Sequence, residues 1–317
     1  MGSTVVRVEG REVKLSNLEK VFWPEGVAKG QLVGYYADIA PVIIPHLRNR
    51  PLVMKRYPDG IGGESFYQKE CPDYAPDWIE TYPVRHSGKN INYIVCNDAA
   101  TLVWLANQAC IEMHAWLSSL DNVECPDIAV MDLDPAEGAS FEDVLDVALL
   151  CRRALEEFGL RPFAKTSGAS GLHIFVPIEG RYPFRAVTLA MQHLAGLIIG
   201  VYPGKTTVER AVAKRTGKIY LDYLQNARGR TMAFQYSLRP LPGAPVSTPL
   251  LWEEVESRQV RPGDYNIKTV FQRIEKYGDL LAGIKKHRRP LAALLKAAGY
   301  AGGEGEGARR ANTHAHP

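Results

Sequence analysis

The stretch from Ile128 to Tyr223 most constrains what this chain can fold into, because strand-like and helix-like apolar patterns alternate along it in a fixed order. Ile128-Ala129-Val130-Met131-Asp132-Leu133-Asp134-Pro135 is an apolar run of strand length that ends in two aspartates flanking one leucine. Ser140-Phe141-Glu142-Asp143 then reads as a capping-box start to a helix, with Phe141, Val144, Leu145, Ala148, Leu149, Leu155 and Phe158 at helical spacing until Gly159. Pro162 to Thr166 predicts a strand, Ser167-Gly168-Ala169-Ser170-Gly171 a tight polar turn, and Leu172 to Pro177 the next strand. A second helix over 184–199 and a fourth strand over 218–223 complete the order β-α-β-β-α-β. That is the ferredoxin-like or RRM-like unit, in which the first and third strands are neighbours. Asp132, Asp134 and His173 can then share one sheet face.

Side chains alternate along a strand, so Asp132 and Asp134 point to the same side while Leu133 enters the core. Two carboxylates at the mouth of a sheet suit hard divalent cations, since Mg²⁺ and Mn²⁺ take oxygen ligands and bind through a few carboxylates plus substrate phosphates. Phosphoryl or nucleotidyl transfer is the chemistry such a pair serves. The same Asp-x-Asp-Pro also arises at strand ends as a turn initiator or helix cap. In the turn that follows, two glycines let the backbone approach a ligand closely. Amides and the Ser167 hydroxyl could then bond phosphate oxygens, with Ser170 beside them and His173 as a further donor; the bland alternative for His173 is a satisfied core histidine.

The N-terminal third predicts a hairpin over 5–15 about Glu9-Gly10, a capped helix over 16–22, and an apolar helix over 31–47 disturbed by Pro41. Met54-Lys55-Arg56-Tyr57 sets cations beside an aromatic, and Ser65-Phe66-Tyr67-Gln68-Lys69 puts two adjacent aromatics in a Gly-rich context. Exposed aromatics stack on bases at roughly 1–3 kcal/mol each; a satellite core under a loop is the competing reading of Phe66 and Tyr67. A last helical region is expected over 269–294, and Tyr236 to Pro249, rich in proline, is expected to cross the surface.

At 317 residues and 46% hydrophobic the chain can bury a substantial core, and a formal charge of +3 requires any basic surface to be local. Five widely spaced cysteines without a CxxC pair suggest buried thiols in a reducing, cytoplasmic setting. No stretch reads as a membrane span or a signal peptide, so no membrane partner is expected.

Asp-Leu-Asp-Pro, then Ser167-Gly168 through Gly171-Leu172-His173, then a strand ending at Asp222 with Gln225-Asn226 after it, resembles the three motifs of the archaeo-eukaryotic primase superfamily. The resemblance is to the polymerase domain of bacterial ligase D, which serves non-homologous end joining, and it runs from Leu15-Ser16-Asn17-Leu18-Glu19-Lys20 to about Leu281. It implies an α+β primase-polymerase core containing the RRM-like unit, with an N-terminal α/β module packed on it. The domains expected are a DNA-end and 5′-phosphate module over 1–120, a catalytic core over 121–295 and a flexible tail over 296–317.

Carried over by position, the resemblance implies that Asp132, Asp134 and Asp222 bind two Mn²⁺ or Mg²⁺ ions that clamp the attacking 3′-hydroxyl and the leaving pyrophosphate. It assigns nucleotide binding to Arg215, Gln225 and Arg239, and leaves Lys214 and Lys218 open. Asn17, Lys20 and Lys29 would form a pocket for the 5′-phosphate across a gap, and the Phe66-Tyr67 pair, next to Arg56, would meet the template strand where it bends. Glu112-Met113-His114 matches a signature near the active site, in which His114 supports rather than reacts. One departure is Ser170, where some relatives carry lysine.

The expected activity is therefore a DNA-repair primase-polymerase, a nucleotidyltransferase that extends a 3′-hydroxyl at gaps or double-strand-break ends with NTP or dNTP, ribonucleotides preferred. The chain lacks the Lys-x-Asp-Gly attachment motif of ATP-dependent ligases, so a separate ligase and the end-binding protein Ku are expected partners at the nucleoid, beside DNA itself. Two other readings stay open. One is a phosphatase of the haloacid-dehalogenase type, in which one aspartate is the nucleophile, although Pro135-Ala136 stands where such enzymes carry Thr or Ser. The other is a non-catalytic DNA-end binder.

Overall fold

The computed structural model describes residues 2–301. Most of the tail expected over 296–317 lies outside them. The chain forms two compact units; the first comprises 1–116, 231–248 and 263–279, the second 117–230, 249–262 and the residues from 280. The segments 231–248 and 263–279, assigned by sequence to the catalytic core, thus pack with the N-terminal residues.

In the first unit, β1 (Ser3–Val8) and β2 (Arg11–Ser16) pair antiparallel around Glu9-Gly10, the hairpin expected. The capped helix predicted over 16–22 does not form. Asn17 takes a positive φ of 56°, and the segment pairs with 27–30 instead, through Phe22 N to Val27 O at 2.9 Å, Lys29 N to Lys20 O at 2.8 Å and Gly30 N to Leu18 O at 2.7 Å. Long-range backbone pairing has outcompeted local helix propensity.

Helix α1 (Lys29–Leu47) runs unbroken through Pro41 and Pro45. Each proline costs about 3 kcal/mol. Burial of Leu32, Tyr35, Tyr36, Ile39 and Ile43, none above 3% exposed, contributes roughly 1.5–3 kcal/mol per side chain and outweighs it. Next come β3 (Pro51–Arg56), β4 (Phe66–Gln68), β5 (Thr81–Arg85), β6 (Asn90–Val95), α2 (Ala99–Asn107) and β7 (Cys110–Trp116).

The second unit opens with β8 (Ile128–Pro135) and α3 (Phe141–Glu157). The helix carries the capping box read from sequence: Asp143 N donates to Ser140 Oγ at 3.1 Å, and Ser140 N donates to Asp143 Oδ2 at 3.0 Å. Then follow β9 (Phe163–Thr166), β10 (Leu172–Pro177), α4 (Phe184–Val201), β11 (Thr206–Thr207) and β12 (Ile219–Asp222). The strand order is β11-β12-β8-β10-β9, antiparallel except between β11 and β12, so the first and third predicted strands are neighbours as expected.

Helix α4 has the length and apolarity of a membrane-crossing segment, which the sequence reading did not anticipate. Here its Phe184, Val187, Ala190, Met191 and Leu194 are buried, and the helix packs on β8 and α3.

The chain then returns to the first unit with β13 (Thr231–Ala233), which joins β7 as an edge of the sheet β13-β7-β3-β6-β5, with β4 paired to β3. The proline-rich segment is not a surface crossing. Tyr236, Leu238, Ala244, Val246, Ser247 and Thr248 are buried, because Tyr236 N bonds Ser247 O and Arg239 N bonds Pro245 O to close a small loop that inserts its apolar side chains. After the short α5 (Trp252–Glu256), the last helical region is broken into α6 (Val270–Tyr277), a 3-10 turn over Ile284–His287 and α7 (Ala292–Ala297). Gly278 and Gly283, both at φ +68°, and Pro290 before α7 interrupt what periodicity alone would join.

Candidate active site

Strand register builds the site. Asp222 on β12 lies directly across from Asp132 on β8, which lies across from His173 on β10, which lies across from Lys165 on β9. Residues opposite one another share a face, so these four form one row, and Asp134, two residues beyond Asp132, faces the same way across from Tyr220. His173 Nε2 is 3.3 Å from Asp132 Oδ1, and both side chains are buried. Asp134 is exposed.

Asp222 is held by its neighbours. Its Oδ1 accepts from Leu224 N at 3.1 Å and from the Tyr220 hydroxyl at 3.3 Å, and its Oδ2 accepts from Gln225 Nε2 at 3.0 Å. Burial, then the Asp222 charge, pushes the Tyr220 phenol up to about 12, so it stays a donor. Arg215 stacks its guanidinium 3.5 Å from the Tyr220 ring centroid and donates to the Glu209 and Arg210 carbonyls, which places it on the Asp134 side of the row. Lys218 donates to Pro203 O, and Lys214 is exposed.

The Ser167 turn is closed on itself. Ser167 Oγ accepts from Ala169 N and Gly171 N, both at 3.1 Å, and Ser167 N donates to Gly171 O at 2.9 Å; Ser170 is exposed at its tip. Those amides brace the hydroxyl within the turn. The second glycine has a packing reason, since a Cβ on Gly171 would overlap the Leu133 carbonyl oxygen between the two aspartates.

Two residues of this unit had no role assigned from sequence, although Asn226 stands in the third motif. Lys165 is fully buried, in register with His173, its ammonium 5.3 Å from the Phe175 ring. Its signal was strand alternation, which puts it two residues before Ser167 on the face of His173. Asn226, also fully buried, accepts from Val130 N at 2.8 Å and donates to Val130 O at 2.7 Å, extending the β12-to-β8 ladder beyond Asp222.

Arg239 belongs to the first unit, where its Nε is 2.8 Å from Glu112 Oε1. The Tyr57 hydroxyl donates to Glu112 Oε2 at 2.8 Å, and His114 Nε2 is 3.6 Å from Oε1. Burial alone would raise the Glu112 carboxyl, but the nearby His114, then the Arg239 charge and the Tyr57 hydroxyl, hold it down at about 2. Both members of the aromatic pair are exposed, Phe66 by 46% and Tyr67 by 54%. Each carries a cation: Arg56 lies 5.5 Å from the Phe66 ring, and Lys55 lies 4.5 Å from that of Tyr67. Tyr67 also meets His114 edge-on at 5.5 Å. Arg56 donates to Gln108 O, Gln68 and Tyr74.

The N-terminal triad converges. Lys20 N bonds Asn17 O, Lys29 Nζ donates to Ser16 O at 2.7 Å, and Asn17, Leu18 and Lys20 line a cleft of about 690 Å³. Burial, then Lys20 and Arg56, lowers the Lys29 ammonium to about 8. Lys20 pairs with Asp59 at 2.6 Å, an exposed pair that a ligand phosphate can displace at little cost.

Among the described residues, no three His, Cys, Asp or Glu side chains gather closely enough to cage an ion by themselves. The row still fits hard cations, because Mg²⁺ binds through one or two carboxylates with waters and substrate phosphates completing the shell. The row thus sets a buried carboxylate, Asp132, between His173 and the carboxylate of Asp222, with Asp134 on the same face and Arg215 beside Tyr220, on an α+β scaffold.

The family model described as LigD, primase-polymerase domain, matches residues 28–281. The multifunctional non-homologous end joining protein LigD of Mycolicibacterium smegmatis is 32% identical over 273 residues, 85% of this chain and 36% of that protein. The bifunctional LigD of Bacillus subtilis is 33% identical over 288 residues, 90% of this chain and 46% of that protein. The polymerase domain of Mycobacterium tuberculosis ligase D, solved in complex with DNA, matches with a TM-score of 0.82 at 30% identity, covering 87% of this chain and 99% of that one. This chain belongs to the LigD primase-polymerase domain family, and it spans less than half the length of these curated relatives. Membership decides against the haloacid-dehalogenase-type phosphatase.

Proposed function

We propose that this chain extends the 3′-hydroxyl of DNA at gaps and double-strand-break ends, in non-homologous end joining, with ribonucleotides preferred. The observation that carries the reading is the register that aligns Asp222, Asp132 and His173 across three strands of one sheet. Two Mn²⁺ or Mg²⁺ ions held by Asp132, Asp134 and Asp222 would supply charge neutralisation and activation of the primer hydroxyl. His173 fixes the Asp132 carboxylate and offers a proton donor to the triphosphate, and Arg215 is suited to bidentate phosphate contact. In the first unit Arg239 pairs with Glu112, and Phe66 and Tyr67 offer stacking surfaces to template bases.

Asn17 and Lys20, which line the N-terminal cleft, read the 5′-phosphate together with the neighbouring Lys29. The strand order of the second unit supports an RRM-like catalytic sheet, with the N-terminal module handling the DNA end. Ku and an ATP-dependent ligase are the partners, acting with the chain at the nucleoid in the cytoplasm. The test is primer extension on a gapped duplex with and without 5′-phosphate, comparing rNTP with dNTP and Mn²⁺ with Mg²⁺. Extension that survives Asp132→Ala combined with Asp134→Ala sinks the reading.

A further inference from the structure

The family match ends at residue 281. Just past it, Gly283-Ile284-Lys285-Lys286-His287-Arg288-Arg289 brings five basic side chains into seven residues. The structure fixes this run against the second unit. Ile284 is buried, Arg288 pairs with the buried Asp127, and Arg289 N donates to Pro177 O while its carbonyl accepts from Glu179 N at 3.1 Å.

These anchors leave Lys286 and Arg289 exposed, and Arg161 joins them from the α3-to-β9 connection. Its guanidinium lies 3.0 Å from His287 Nδ1 and 5.4 Å from the Phe163 ring, which in turn lies 5.6 Å from the His287 ring. The nearby acids are already engaged, Asp127 with Arg288 and Glu179 with Arg181 at 2.7 Å. Burial, then Arg161, Arg289 and Lys286, lowers the His287 imidazole, as expected of a ring among cations that no carboxylate offsets. In a chain whose formal charge is only +3, such a concentration is a local feature of the surface.

We propose that Arg161, Lys286, His287 and Arg289 form a second contact for the phosphate backbone of duplex DNA, remote from the reacting row and resting on the nucleotidyl-transfer reading above. Arg289 bridges Ile178, five residues along the chain from His173, or about 17 Å at strand rise. One DNA strand advances about 3.4 Å per nucleotide, so the patch meets phosphates about five nucleotides from the reacting end. Phosphate contacts of this kind position a duplex without reading its sequence.

The experiment is fluorescence anisotropy of a gapped duplex with long arms, titrated across about 50–200 mM salt. The log-log salt slope of the R161A/K286A/R289A variant should be shallower than wild type by about 2 to 3, at roughly 0.9 per lost phosphate contact, and affinity at the upper salt should fall several-fold. R161K/K286R/R289K, which keeps the charge, should retain the wild-type slope. With arms cut below about five base pairs the difference should vanish. Equal slopes for wild type and the alanine variant overturn the proposal, as does a deficit that persists on short arms. Single-nucleotide insertion at saturating DNA separates the two readings. Insertion with equal slopes removes the patch and leaves the activity, whereas slope loss without wild-type insertion leaves the patch and removes the activity.

Discussion

At Asp222 three donors already occupy the carboxylate: Leu224 N and the Tyr220 hydroxyl on Oδ1, Gln225 on Oδ2. A carboxylate oxygen has two acceptor positions, so Oδ2 retains one for a cation and Gln225 fixes its direction. Partners that orient a metal ligand are worth roughly 10–100-fold in metal affinity. Gln225→Ala should therefore raise the Mn²⁺ concentration for half-maximal incorporation by about 10-fold; an unchanged metal titration with a raised nucleotide KM would return Gln225 to the nucleotide. Glu112 carries a different consequence. Its folded value of about 2 lies below the ordinary 4.5, so its stabilisation is complete above pH 4.5 and is lost as pH falls toward 2. The shift corresponds to about 3 kcal/mol. Glu112→Gln should cost about that much at neutral pH in urea unfolding, and its deficit relative to wild type should narrow between pH 4.5 and 3. A deficit that stays constant over that range would mean the charge is not what His114 and Arg239 stabilise.

At the scale of elements, the turn joining β9 to β10 and the segment before α1 each carry a prediction. Gly171→Ala drives a Cβ into the Leu133 carbonyl, backbone that cannot swing aside. It should cost about 3 kcal/mol by overpacking and displace Asp132 and Asp134 with it. Denaturant unfolding together with insertion kinetics checks this, and full activity at wild-type stability would refute it. Behind the N-terminal cleft, Lys29, bonded to Ser16 O, is a cation below about pH 8 and neutral above it. The stimulation given by a 5′-phosphate over a 5′-hydroxyl should decline between pH 7 and 9, and in Lys29→Ala it should be small throughout.

The same elements show what was legible in sequence. The aspartates of β8, the Ser140 cap of α3 and the register of β10 follow from local patterns: period 2, period 3.6 and a capping box. The 16–22 segment, the buried loop after Tyr236 and the broken last helix were decided by partners far along the chain, or by glycines in the left-handed region, and local pattern misreads them. Lys165 escaped, and Asn226 was read in the third motif without a role, because a lysine or an asparagine reads as solvated until register shows that it is buried.

At the scale of the molecule, the path of the chain matters more than a boundary near residue 120. The first unit is completed by 231–248 and 263–279, which supply β13 as the partner of β7, Arg239 for Glu112, and Tyr236 with Asp279. Asp279 Oδ2 also accepts from His46 Nε2 at 2.7 Å, tying the end of α1 to the same return segment. A fragment of residues 1–120 would expose the β7 edge and leave Glu112 buried without Arg239. Breaking a buried ion pair by removing one partner costs about 3–5 kcal/mol, a large share of the roughly 5–15 kcal/mol that holds a domain folded. The fragment should therefore lack a cooperative urea transition and near-ultraviolet circular dichroism, whereas residues 1–301 should show both. A cooperative transition in the short fragment would mean that the returning segments are additions to a self-sufficient module, and would restore the single division near residue 120.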